Sequence, residues 1–234
     1  SKTNKDKKNI ILKDMSMSYL YVSHPIFVNM YSNVCGFTGT VGDENDITIY
    51  HNEYNMEHKK LPRYKPSLRF MLPMILCKDK NERNNIIISE VLAFHREGNP
   101  ILVIFQDLKE IDEVKYRLYC HKIHKITIFD GKDEQISPDD TAGQANAVSL
   151  GTNFCGRGAN IIQKSDKPLH VIVAYYSKSR VMNQAFGRTA RQGKKGSCRV
   201  ICLASQYYDS INDNNNENCS YKAIAKDFDI KNDE

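Results

Sequence analysis

The run Ile101-Leu102-Val103-Ile104-Phe105 constrains the fold more than any other segment. Five consecutive apolar residues have no polar side to turn toward water. Such a run reads as a strand covered on both faces, the setting of a central strand in a parallel sheet. It starts directly after Gly98-Asn99-Pro100, which stops a helix. Before that stop, Glu82 to Glu97 carries Ile86, Ile87, Val91, Leu92 and Phe94 at helical spacing. After the strand, Asp107 is placed to cap a helix through Cys120, with Ile111, Val114 and Leu118 facing inward. Ile126-Thr127-Ile128-Phe129 is a further strand, and Ser137-Pro138-Asp139-Asp140 opens a short helix with serine at the cap and proline at the first position. Leu169 to Ala174 and Arg199 to Ala204 are the remaining strands. Strands alternating with helices predict an α/β fold, a parallel sheet with right-handed crossovers and helices on both faces, in three layers.

Chemistry concentrates in Gln184-Ala185-Phe186-Gly187-Arg188-Thr189-Ala190-Arg191-Gln192-Gly193. The segment reads as helix to about Ala190, broken at Gly193. Arg188 and Arg191 are three apart, so on a helix they project from one face. Two guanidiniums side by side suit a multiply charged oxygen partner, and phosphate is the commonest. Upstream, Val148 to Ile161 leads an apolar run into a glycine-rich turn with Arg157 between Gly156 and Gly158. Glycines let backbone approach a ligand closely, and their amides can face phosphate or sugar. Alone, the first segment also fits surface arginines in loose salt bridges. The order of the two segments favours a phosphate site.

That order resembles motifs V and VI of superfamily-two ATPases, and within them the SecA family of preprotein-translocation motors. The family pattern T-N-M-A-G-R-G-T-D-I is similar to Thr152 to Ile161, and N-Q-L-R-G-R-S-G-R-Q-G-x-x-G-S to Asn183 to Ser197. Gly36-Phe37-Thr38-Gly39-Thr40 is similar to the family's G-M-T-G-T, which is motif III. Leu61 to Arg69 resembles the linker I-P-T-N-x-P-x-x-R, the Ile101 run resembles motif IV, and Ala142 to Val148 resembles A-G-x-x-x-A-V. The resemblance spans roughly Asn33 to Leu203, most of the chain.

The resemblance implies a RecA-like sheet and three segments. Residues 1–58 would close a first motor domain and form a linker, 59–205 would be a second, helicase-C-terminal-like domain, and 206–234 an asparagine-rich tail. Arg188 and Arg191 would act as arginine fingers on the γ-phosphate, with Arg157 as a further finger. Gly158, Asn160, Gln184 and Gly187 would bind nucleotide, and Thr38, Gly39, Thr40, Thr152 and Asn153 would couple its state to domain closure. The arginines are expected to face a cleft at the carboxyl ends of the strands, and the motor reading is tied to that placement and to their not being buried in internal ion pairs. ATP with Mg²⁺ would be bound mainly by an N-terminal motor half, because the chain has no G-x-x-x-x-G-K-[ST] and no Asp-Glu pair ahead of Thr38. The chain alone is therefore expected to be inactive. Asn160 stands where the family has aspartate, which keeps hydrogen bonding but loses a charge.

The implied partners are that motor half, an unfolded polypeptide and a membrane translocation complex, with a cytoplasmic location and peripheral contact with the membrane. Two alternatives stay open: the C-terminal domain of a nucleic-acid helicase or translocase, and a catalytically silent RecA-like binding module.

Composition narrows the field further. The 234 residues are 41% hydrophobic and 26% charged, as in ordinary globular proteins. A net charge of +5 and a pI near 8.7 tolerate anionic partners without demanding nucleic acid. No apolar run nears the ~20 residues of a membrane span, and the lysine-rich start shows no signal peptide. Seven cysteines without a C-x-x-C pair suggest reduced thiols in a cytosolic setting. His121-x-x-His124 lacks further ligands, so no metal is expected.

Toward the termini, residues 1–14 are charged and expected to fray. Met15 to Met30 reads in part as a helix interrupted by Pro25. Val34 to Phe37 reads as the end of a strand, and Asp43 to Lys60 as a polar connection. Asn212 to Asn218 reads as a spacer, followed by a short helix at Tyr221 to Phe228.

Overall fold

The structure, a computed structural model, describes residues 21–129, 141–152 and 161–213. Residues 1–14, the helix at Ser137, the spacer after Asp213 and the helix at Tyr221 lie outside the described residues, as do Asn153, Arg157, Gly158 and Asn160.

Seven strands form one sheet and every pairing is parallel. They are β1 (Leu68–Met71), β2 (Ile75–Cys77), β3 (Ile101–Phe105), β4 (Ile126–Phe129), β5 (Val148–Thr152), β6 (Leu169–Val173) and β7 (Lys195–Leu203). Their order is β1-β7-β6-β3-β5-β4, and β2 continues the β1 edge along β7. The Ile101 run is a central strand, buried at all five residues. Its side chains alternate between two cores, one on each face of the sheet. Val103 and Phe105 share a core with Ile87 and Val91 of α3 (Lys80–Arg96) and with Ile111, Val114 and Leu118 of α4 (Lys109–Cys120). Leu102 and Ile104 face Met182, Ala185 and Phe186 of α5 (Ser179–Phe186). Each such aliphatic side chain contributes about 1.5–3 kcal/mol on burial. The α/β, RecA-like, three-layer reading holds. Among the described residues no helix is long and apolar enough to cross a membrane.

Several local expectations need correction. The end of the proline linker enters the sheet, which its motif alone did not specify: β1 pairs with β7 in the register Leu68↔Lys195 to Met71↔Cys198. Pro73 interrupts the edge between β1 and β2, a place where a missing N–H does no harm. Pro25 does not interrupt a helix but begins one. It sits in the first turn of α1 (His24–Asn29), whose cap Ser23 accepts from the Ile26 amide.

The polar stretch after Asp43 contains α2 (Glu44–Tyr54), held by a capping box between Asp43 and Asp46. Val34 to Phe37 is not a strand, since a strand exists only where a neighbour exchanges backbone bonds and no described strand lies beside it. β7 starts at Lys195, four residues before the expected Arg199. The last helix, α6 (Ala204–Asp213), packs on β7 and β2.

Candidate functional site

The arginine segment leaves its helix early. α5 ends at Phe186, with Gly187 as the cap whose N–H reaches the Asn183 carbonyl. Both arginines therefore sit on a loop, not on one helical face as expected. The cause lies in the next residues. Thr189 is buried and donates its hydroxyl to the Leu169 carbonyl at 2.6 Å, which turns the chain onto the start of β6. Ala190 then takes a left-handed conformation (φ 56°), as do Gln192 (φ 55°) and Gly193 (φ 77°). A helix cannot propagate through such residues. The loop closes against Gly196, where an added β-carbon would lie 2.0 Å from the Thr189 hydroxyl oxygen. The glycine is required there for space.

Arg188 and Arg191 are both half-buried and line one small cavity of about 20 Å³, together with Lys194 and the strand-entry segment Ile161 to Gln163. Arg191 Nε donates to the Gly187 carbonyl at 2.8 Å. Lys194 Nζ reaches the Gln163 carbonyl at 2.5 Å and ties the two loops together. Because Leu169 opens β6 and Lys195 opens β7, this cavity lies at the amino ends of the strands. The expected placement at the carboxyl ends is corrected: an eight-residue helix following β6 carries the chain back across the sheet before the arginines are reached.

The other expected residues divide into two groups. Gln184 donates to the Thr40 hydroxyl at 3.4 Å, so the turn at residues 38–40 and α5 touch. Within that turn the Thr38 hydroxyl donates to the Thr40 carbonyl at 3.1 Å and accepts from the Thr40 amide at 3.3 Å. Gly39 has open space where a side chain would be. Tyr50 of α2 accepts from Arg180 of α5 at 3.3 Å. Thr152, by contrast, is the buried last residue of β5, at the opposite end of the sheet.

The linker reaches the loop from the other side. Arg69 lies over the Phe186 ring at 5.9 Å, and a β-carbon on Gly193 would meet the Lys65 chain at 2.8 Å. Burial holds the Arg69 pKa below its ordinary value, Cys198 opposes that shift and Arg63 adds to it. Burial pushes the Cys198 thiol up to about 12, against the pull of Arg69.

Sequence reasoning missed a polar cluster beneath this loop. His170, fully buried on β6, binds Glu90 of α3 through Nε2 at 2.7 Å and Ser197 Oγ through Nδ1 at 2.8 Å. Arg199 Nη1 donates to the same carboxylate at 3.0 Å, and Phe94 stacks on the imidazole at 3.7 Å. The order serine, histidine, glutamate is that of a nucleophile with its base, but an imidazole with no exposed surface cannot meet a substrate. The available signal was a glutamate and a histidine on otherwise apolar faces.

No protein-family model matches the chain. A protein translocase subunit SecA of Halothermothrix orenii is 28% identical over 213 residues, which is 88% of this chain and 24% of the relative. The resemblance is to SecA. A second SecA subunit, from Desulforapulum autotrophicum, is 29% identical over 202 residues, 82% of this chain and 24% of the relative. The chain thus spans about a quarter of the length of the SecA subunits it matches. Among solved structures, Dbp5 of S. cerevisiae bound to RNA and ADP BeF3 is 16% identical, with a TM-score of 0.46, over 63% of this chain and 38% of that one. The E. coli DEAD-box protein SrmB, bound to regulator of ribonuclease activity A, is 17% identical with a TM-score of 0.44, over 60% of this chain and 79% of that one. The RecA-like fold assignment rests on the strand order and its all-parallel pairing.

Proposed function

We propose that this chain is one side of an ATP-driven, SecA-like motor, and that Arg188 and Arg191 meet a triphosphate held by an N-terminal motor half. The observation carrying this reading is the contact of Thr40 with Gln184, one helical turn before Arg188. The segment that would end the first motor domain touches the helix that delivers the arginines. The nucleotide cleft on this reading runs along α5 and its loop, so the reading gives up the carboxyl-end placement and is supported by this contact and by the sequence similarity to SecA.

The residues present suit a phosphate anchored elsewhere. The cavity at the arginines has room for about one water, which rules out an enclosed nucleotide. Among the described residues its lining has three cationic side chains and no carboxylate. In the full site Mg²⁺ with ATP would be held by the other half, where it would supply neutralisation of the phosphate oxygens. Arg188 and Arg191 stabilise charge that spreads over the transferring phosphoryl group. Arg157 is a third finger, with Gly158 and Asn160 at the ribose edge. Gly187 shapes the approach as the helix cap. Gln184, Thr38, Gly39 and Thr40, with Thr152 and Asn153, couple nucleotide state to closure.

On this reading residues 1–58 close the first motor domain and form the linker, 59–205 are the second, and 206–234 a tail. The work done is translocation of unfolded polypeptide at a membrane complex, from the cytoplasmic side. ATP turnover by the chain alone and after mixing with the N-terminal half tests this. No turnover alone and turnover on mixing is expected. Turnover by the isolated chain contradicts the division of labour, and a mixture that binds no ATP identifies a silent binding module.

A further inference from the structure

We propose that Glu90, His170 and Ser197 are positioning residues for the arginine loop, on the reading that Arg188 and Arg191 meet a phosphoryl group. They act through the strand pair from which that loop hangs. β6 and β7 pair as Leu169↔Gly196 and then as His170↔Ser197. The loop is fastened to the first pair. Thr189 donates to the Leu169 carbonyl, and Thr189 and Ala190 pack directly on Gly196. The buried cluster is fastened to the second pair, one residue further along each strand. Successive side chains of a strand point to opposite faces. The two attachments therefore grip the same short length of sheet from its two sides, α3 on one and the loop after α5 on the other.

A carboxylate only accepts, so the imidazole donates from Nε2 to Glu90 Oε1 at 2.7 Å. Nδ1 lies 2.8 Å from Ser197 Oγ, which leaves both ring nitrogens held. Arg199 Nη1 takes the other carboxylate oxygen at 3.0 Å, and Phe94 of α3 covers a face of the ring. α3 also grips β6 at its far end, where Arg83 Nη1 donates to the Ala174 carbonyl at 3.1 Å. A helix fastened at both ends of a strand cannot slide along it, and the ring passes that fixed position on to Ser197 of β7. Arginines displaced by about 1 Å can lose on the order of 10²-fold in rate, while binding of ATP by the other half is untouched.

Steady-state ATP turnover by the full-length protein tests the positioning role. Ser197 is half-buried, and Ser197→Ala deletes the hydroxyl that ties the ring to β7. It should lower kcat about tenfold and leave KM for ATP within about twofold of wild type. Ser197→Thr keeps a hydroxyl and should recover kcat to within about threefold. Thr189→Val removes the tether through which the unit acts, so adding Ser197→Ala to it should cost less than about twofold more. Amide hydrogen exchange at residues 188–191 should quicken in Ser197→Ala. Wild-type kcat in folded Ser197→Ala, a full tenfold further loss in the Thr189→Val background, or unchanged exchange at 188–191 overturns the role. Arg188→Ala separates the two readings. Turnover lost there but kept in Ser197→Ala leaves the motor reading standing, and turnover kept in Arg188→Ala removes both.

Discussion

Thr189 and Gly196 meet at a distance that leaves no room for one more carbon. A β-carbon on Gly196 would sit 2.0 Å from the threonine hydroxyl oxygen and 2.7 Å from the Ala190 amide nitrogen. Backbone cannot retreat as a flexible side-chain end does, so Gly196→Ala should destabilise the protein by about 1–3 kcal/mol. Urea denaturation checks this, and an unchanged midpoint would show that the loop is not held as described.

The residue after Thr189 makes the opposite prediction. Ala190 occupies a left-handed conformation that favours glycine, and the SecA pattern has glycine at this place. Ala190→Gly relieves roughly 1–2 kcal/mol of backbone strain and gives back about 0.5–1 through the freer unfolded chain, so a gain of up to about 1.5 kcal/mol is expected. A loss of stability in the same denaturation assay would contradict it.

Glu90 holds two partners at once, His170 at 2.7 Å and Arg199 at 3.0 Å. Glu90→Ala leaves a buried imidazole and a guanidinium without their acceptor, and should cost about 3–5 kcal/mol. Arg199→Ala removes a partly exposed partner and should cost less. Equal effects would mean that the cluster is held mainly by packing of Phe94 on the ring.

Burial raises the Cys198 and Cys202 thiols from 9.0 to about 12. In the unfolded chain the same thiols ionise near 9.0, so the unfolded state loses protons first as pH rises. Their contribution to stability is complete below pH 9 and falls progressively toward pH 12. Denaturation midpoints at pH 8 and pH 10.5 should show that decline. At pH 8, thiol reagents should label exposed Cys35 and Cys120 ahead of buried Cys198 and Cys202. Equal labelling of all four in the folded protein would refute the burial account.

The legible parts of this chain are those where one local force dominates. The Ile101 run and the Ile126 strand were readable to the residue because an apolar stretch with a helix stop or polar neighbours has one sensible placement. α3 and α4 followed from helical spacing. The linker strands were not readable, because Leu68 to Cys77 carries two prolines nearby and joins the sheet only through β7, far along the chain. The early end of α5 was hidden for a similar reason: the bond that stops it goes to Leu169, twenty residues upstream of Thr189. Residue choice at Arg188 and Arg191 pointed to phosphate chemistry, but their position at the amino ends of β6 and β7 came only from tertiary contacts.

The central claim is that Arg188 and Arg191 act on a triphosphate anchored elsewhere, and ATP turnover by the full-length protein carrying Arg188→Ala or Arg191→Ala tests it most directly. A fall of about 10³–10⁵-fold with an unchanged denaturation midpoint is the predicted result. Wild-type turnover in either variant would contradict it.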